Sequence, residues 1–239
     1  MTKTRKRILI ILLFILILFS CLLILFNLSK SRTFQFFGEI VSSIPNNDKK
    51  IALTFDDGPT ENTSIILGKL DELNIKATFF LCGIGIEQRP DDMKLIVDSG
   101  NAVGNHSYSH TRMIAKSYGF IKQEVDKTNS LIINSGYTDT IFFRPPYGKK
   151  LFFLPYYLSK KDTVTIMWSM EPETVLGFDA TAEEIAQFVI DNVKSGSIIL
   201  LHPMYNPDNV LPALDIIVPE LKKQGYTFCT IPQLYKEYK

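Results

Sequence analysis

Apolar and polar positions divide this chain into two unlike parts. From Ile8 to Phe26 runs "ILIILLFILILFSCLLILF", 19 uncharged and mostly apolar residues. At about 1.5 Å per residue such a run just crosses a hydrocarbon core of about 30 Å, so it predicts a membrane-spanning helix over residues 8–27. Residues 28–47 read as a linker with an apolar patch, "FQFFGEIV", and a turn-like "PNND". Beyond it, short β-branched and aromatic runs alternate with amphipathic stretches. The expected strands are 50–55, 76–81, 101–105, 140–143, 163–168, 197–201 and 226–230. "TSIILGKLDELN" and "TAEEIAQFVIDNVKSG" read as helices, the second opening on a Thr-x-x-Glu capping box and closing at a glycine. Strands alternating with helices predict an α/β fold with a parallel sheet covered on both faces. Seven strands in a single-domain length favour a closed or nearly closed barrel, whose site lies at the C-terminal strand ends.

Charge adds a direction to the apolar run. Lys3, Arg5, Lys6 and Arg7 precede it and only Lys30 and Arg32 follow closely, which predicts a cytoplasmic N-terminus (1–7), a signal anchor and an extracytoplasmic remainder. A cleaved signal peptide would have a shorter apolar region ending at small residues. "LFSC" at 18–21 loosely matches a lipoprotein signal, but the run continues past Cys21, and cleavage or lipidation there stays open. Without residues 1–32 the chain holds 20 Lys plus Arg against 25 Asp plus Glu, a net charge of −5. That balance disfavours nucleic acid as a partner and suits a neutral polymer or a small molecule. Cys82 and Cys229 read as free thiols rather than a disulfide framework.

The polar residues that carry chemistry sort to the strand ends. "DDGP" (Asp56, Asp57) follows the first strand, "HSYSH" (His106, His110) the third, "RPPYG" (Arg144, Pro146, Tyr147) the fourth, "WSMEPE" the fifth, and His202 the sixth. Histidines four apart share a face if the stretch enters a helix, one way of presenting two metal ligands, though such pairs also occur as surface or core residues. Asp-Asp-Gly-Pro also suits a turn and a helix cap. Adjacent carboxylates behind an apolar strand, however, are costly to keep ionised without a cation.

"TFDDGP", "HSYSH", "RPPYG" and "LLH", in that order, resemble the signature blocks of the polysaccharide deacetylases of carbohydrate esterase family 4, the NodB-homology domain, over residues 48–239. The resemblance implies a distorted seven-stranded (β/α) barrel that removes acetyl groups from N-acetylglucosamine-type sugars. It implies one divalent metal, Zn2+ foremost with Co2+, Mn2+ or Ni2+ as alternatives, on Asp57, His106 and His110. It makes Asp56 the general base braced by Arg144, His202 the general acid, and the Tyr147 backbone N–H an oxyanion donor, with Leu200, Pro146 and Tyr147 meeting substrate. "EPETV" departs from the usual fourth block, leaving Glu171 and Glu173 as alternative partners for His202 or Arg144. The expectation is a single-pass enzyme of a bacterial cell membrane acting outside the cytoplasm on an N-acetylated glycan, peptidoglycan first. An inactive carbohydrate-binding module and a barrel amidase acting on a non-sugar amide are the alternatives.

Overall fold

The structure, a computed structural model, describes residues 2–238. Its elements in chain order are α1 (Lys3–Ser29), β1 (Ile40–Val41), β2 (Lys50–Asp56), α2 (Thr63–Glu72), β3 (Thr78–Leu81), α3 (Gly83–Gln88), α4 (Pro90–Asp98), β4 (Ala102–Asn105) and α5 (Tyr118–Asn134). There follow α6 (Phe153–Ser159), β5 (Thr165–Ile166), α7 (Pro172–Leu176), α8 (Ala182–Asn192), β6 (Ile198–Leu201), α9 (Pro207–Lys223), β7 (Thr227–Cys229) and α10 (Ile231–Tyr238).

The strand pairs are parallel, as alternation with helices requires. β2 is central: β6 pairs along Ala52–Phe55, β7 with Lys50–Ala52 and β3 with Thr54–Asp56, and β4 extends the sheet beyond β3. Single parallel bridges carry the pairing from Asn105 to Phe143 and on to Thr165 of β5, and join Met170 to Ile199 of β6. The strand expected over 140–143 therefore survives only as the Phe143 bridge. Pro145 and Pro146, which lack N–H donors, stop it immediately afterwards.

Alternation along the strands decides what faces inward. Ile51, Leu53, Phe55, Phe79, Leu81, Ile199 and Leu201 pack outward into the larger apolar cluster, beneath α2, α4, α8 and α9. Ala52, Phe80, Ile198 and Leu200 face the other way, into a second cluster closed by Ile231 and Leu234 of α10. The same period of two puts Asp56 in line with Ala52 and His202 in line with Leu200, so polar ends top an apolar interior. The expected capping box of α8 is present: the Thr181 hydroxyl accepts from the Glu184 N–H at 3.3 Å, and the Glu184 carboxylate from the Thr181 N–H at 2.9 Å.

Helix α1 runs past both ends of the apolar run, its side chains exposed up to the buried Ser29. The stretch after it, expected as a linker, lies against the domain. The Lys150 N–H donates to the Ser29 carbonyl at 2.9 Å, the Lys150 ammonium bonds the Ser31 carbonyl, and Ile40–Val41 pairs with β5. Two apolar residues are too short a run to announce a strand; β5 supplies the partner that makes them one. Cys82 and Cys229 are free cysteines, the first buried and the second half-buried.

Candidate active site

A cavity of about 520 Å3 opens at the C-terminal strand ends. Asp56, Asp57, His106, His110, Tyr147, Leu200 and His202, drawn from four separate stretches of sequence, all line it. Arg144 is fully buried behind Asp56, and Pro146 is buried beside Tyr147, off the cavity wall.

Asp56 and Arg144 form a closed pair. Arg144 Nη1 donates to Asp56 Oδ1 at 2.6 Å and to Thr54 Oγ1 at 2.9 Å; Nη2 donates to the Met167 carbonyl at 3.1 Å and Nε to the Ile166 carbonyl at 3.3 Å. Its guanidinium carbon lies 4.0 Å from the centre of the Phe80 ring. A buried arginine is tolerable only with its donors satisfied in this way. Burial pushes the Asp56 carboxyl up, but Arg144 and the nearby imidazoles more than offset it and hold Asp56 below its ordinary value. Arg144 engages Oδ1, while Oδ2 faces the cavity, 3.6 Å from His106 Nε2.

Asp57, His106 and His110 each offer one ligand atom, all within 4.8 Å of one another. The convergence of the histidines is not that of a helix face. The stretch after β4 is a tight loop in which Ser107 (φ 67°) and His110 (φ 54°) are left-handed, as is Asp57 (φ 68°) after β2. Each such residue costs about 1–2 kcal/mol, and the surroundings hold them there. The buried Glu124 carboxylate of α5 accepts from the N–H groups of Tyr108 (3.0 Å) and Ser109 (2.8 Å) and from the Ser109 hydroxyl (2.9 Å). Asn105 Oδ1 accepts from the Ser107 N–H at 2.7 Å, and Ser107 Oγ from the His110 N–H at 3.1 Å.

The residues present fit a divalent metal ion. His106 Nδ1 lies 2.8 Å from the Arg144 carbonyl, which can only accept, so the proton is on Nδ1 and the lone pair of Nε2 faces Asp57. Burial holds both imidazoles below their ordinary pKa, hence neutral, as ligands must be. Burial, and then Asp56 against the pull of His106, raises the Asp57 carboxyl. A cation beside it supplies the compensation that the chain itself does not.

A family model described as polysaccharide deacetylase matches residues 43–162. The chain belongs to that family. A peptidoglycan-N-acetylglucosamine deacetylase of Bacillus cereus is 36% identical over 199 residues, covering 82% of this chain and 71% of that protein. Among solved structures, a peptidoglycan N-acetylglucosamine deacetylase in complex with 4-naphthalen-1-yl-N-oxidanyl-benzamide matches with a TM-score of 0.76 at 34% identity, covering 82% of this chain and 92% of that one. A family 4 acetyl xylan esterase from Clostridium thermocellum in complex with a cobalt ion matches with a TM-score of 0.71 at 36% identity, covering 79% and 91%. The chain is a polysaccharide deacetylase, a hydrolase of carbon–nitrogen bonds other than peptide bonds.

His202 lines the same cavity of this deacetylase. Glu173 Oε1 accepts from the His202 backbone N–H at 2.8 Å and lies 3.5 Å from Nδ1, an ion-pair distance rather than a good hydrogen bond. Burial pulls the imidazole down, but Glu173, with the two aspartates, outweighs it and raises the value to about 9. Of the two glutamates left open by the sequence, Glu173 thus serves His202. Glu171 faces Arg32 at 3.7 Å.

Sequence reasoning missed much of the deacetylase's rim. Trp168, Phe178 and Tyr205 line the cavity, as do Lys30 and Arg32 from just beyond α1. The Arg32 guanidinium lies 4.9 Å from the Trp168 ring centre. Glu124 was also missed, although an acid between Ile121 and Val125 on the apolar face of a helix is a readable signal. For Lys30 and Arg32 the sequence offers no signal, since their place depends on how the segment after α1 folds back.

Proposed function

We propose that this deacetylase is a membrane-anchored, metal-dependent enzyme that hydrolyses the N-acetyl group of N-acetylglucosamine residues in peptidoglycan on the outer side of a bacterial cell membrane, releasing acetate. The observation that carries it is one cavity lined by the Asp57, His106 and His110 triad, by a carboxylate paired with a buried arginine and by an imidazole paired with a buried glutamate. That the Bacillus cereus relative is a peptidoglycan-N-acetylglucosamine deacetylase supports peptidoglycan, and the length and composition of α1 support a membrane span.

Asp57, His106 and His110 would hold the metal. When bound, a divalent cation lowers the pKa of water and polarises the acetyl carbonyl, with Zn2+ the first choice for a site of two imidazoles and a carboxylate. Asp56, ionised because Arg144 keeps it so, takes the proton of the attacking water through the oxygen that Arg144 leaves free. The backbone N–H of Tyr147, in a left-handed turn (φ 57°), meets the developing oxyanion. Leu200, buried on the cavity wall, packs against the acetyl methyl group. Pro146 stiffens the turn that carries Tyr147. His202 gives its proton to the departing amine, which would otherwise leave as an amide anion. A binding module needs neither an acid nor a base, so the Asp56–Arg144 and His202–Glu173 pairs support the enzyme reading over it.

The test is acetate release by the detergent-solubilised full chain, with and without added zinc, from peptidoglycan and from acetylated chitooligomers. Release from peptidoglycan that chelation abolishes is the expected result. Binding without release, or cleavage of small non-sugar amides alone, would overturn it.

A further inference from the structure

The face of the domain next to the end of α1 carries an exposed aromatic cluster outside the cavity. Phe34, Phe36, Phe37, Phe152, Phe153 and Tyr156 are each between 38% and 51% exposed. Two separate segments build it: Phe36 meets Phe152 at 4.6 Å between ring centres, Phe37 meets Tyr156 at 5.4 Å, and Phe34 meets Phe36 at 5.3 Å. Isolated exposed rings are ordinary on a soluble surface, whereas a contiguous cluster marks a surface that something covers.

Charge and position say what covers it. The two segments, residues 30–38 and 149–161, hold Lys30, Arg32, Lys149, Lys160 and Lys161 at least partly exposed, with Lys150 buried, and no Asp or Glu, within a chain that is net −5 beyond residue 32. The face is also continuous with the apolar helix. The Lys149 and Lys30 ammonium groups lie 4.7 and 5.0 Å from the centre of the Phe26 ring, and Lys150 bonds the Ser29 and Ser31 carbonyls. Aromatic rings mixed with lysines directly beyond a membrane span match the interfacial layer of a bilayer, apolar just below the headgroups and anionic at them.

We infer that, with α1 spanning the bilayer as proposed above, the aromatic face of residues 34–37 and 152–156 inserts among the headgroups of that same membrane, an acidic phospholipid surface being its partner. The domain is then laid on the membrane rather than tethered at a distance. Because Lys30 and Arg32 also line the cavity, the cleft opens beside the bilayer, where a membrane-proximal glycan reaches it first.

The test uses the full chain in vesicles of phosphatidylcholine and phosphatidylglycerol with brominated acyl chains, which quench tryptophan. Phe36→Trp and Phe153→Trp probe the face, Phe14→Trp the interior of α1, and Ile133→Trp an exposed site on α5; the emission of Trp168 in the unsubstituted chain is the baseline. The expected result is strong quenching at Phe14→Trp, several-fold more quenching at Phe36→Trp and Phe153→Trp than at Ile133→Trp, and weaker quenching of the two face probes when phosphatidylglycerol is left out. If the face probes match Ile133→Trp while Phe14→Trp is quenched, the docking face is overturned and the anchor stands. If Phe14→Trp is unquenched as well, both fail. Unquenched face probes in a crosslinkable dimer would give the face to a second copy of the chain and likewise overturn the proposal.

Discussion

Two charged pairs share the cavity with the ligand triad, and they are built differently. Asp56 and Arg144 are sealed, with Arg144 wholly buried and four hydrogen bonds from its guanidinium accounted for. His202 and Glu173 are looser: Nδ1 and Oε1 are 3.5 Å apart, and both Nδ1 and Glu173 Oε2 are buried without a hydrogen-bond partner. In the roles proposed above, a base has to be ionised before the reaction starts, so a partner that never titrates suits Asp56. An acid has to carry a proton and then release it. A carboxylate close enough to raise its pKa, but not locked onto the proton, serves that end.

The difference between the pairs can be broken at several points. The triad gives the largest effect: His106→Ala or His110→Ala should abolish stoichiometric metal binding, measured by metal analysis of the purified protein, along with turnover. Asp56→Asn should lower kcat about 10²–10⁴-fold while metal content stays unchanged. Loss of metal from Asp56→Asn as readily as from Asp57→Ala would reverse the two roles. Arg144→Met strands a buried carboxylate, and chemical denaturation should show a loss of about 3–5 kcal/mol.

On the looser side the expected change is in pH dependence. His202 stays protonated to about pH 9, so activity should fall on the alkaline side as pH rises through that value. Glu173→Gln should move this alkaline limb toward the ordinary histidine value of 6.5, sparing activity below it. The sign for stability is the same. A histidine raised from 6.5 to about 9 contributes stability fully present below the lower value and lost as pH rises through the upper one. An alkaline limb unmoved in Glu173→Gln would remove Glu173 from this role. The smallest effect is at the proposed acetyl pocket: Leu200→Ala should shift the preference for acetyl over propionyl substrates by about tenfold, read as a ratio of kcat/KM.

Most of the floor of the site was legible in the sequence because a strand's side chains alternate and its end is marked. Once "IALTF" and "SIILL" are strands, Asp56 and His202 are carried inward by period alone. The shared helix face that the spacing of His106 and His110 would give in a helix is not formed; a loop with left-handed residues, clamped by Glu124, brings the rings together. Phe143 lost its strand because two prolines follow it, and Ile40–Val41 gained one because β5 offers an edge.

By itself the sequence determined the apolar run, the parallel α/β order and the polar residues that the strand ends carry to the cavity, because these depend on local pattern and on strand ends. Only the tertiary structure decided which glutamate serves His202, which oxygen of Asp56 is free, and that Lys30 and Arg32 belong to the cavity wall. Those are questions of distance between residues far apart in the chain, and no period along the chain encodes the path by which it folds back.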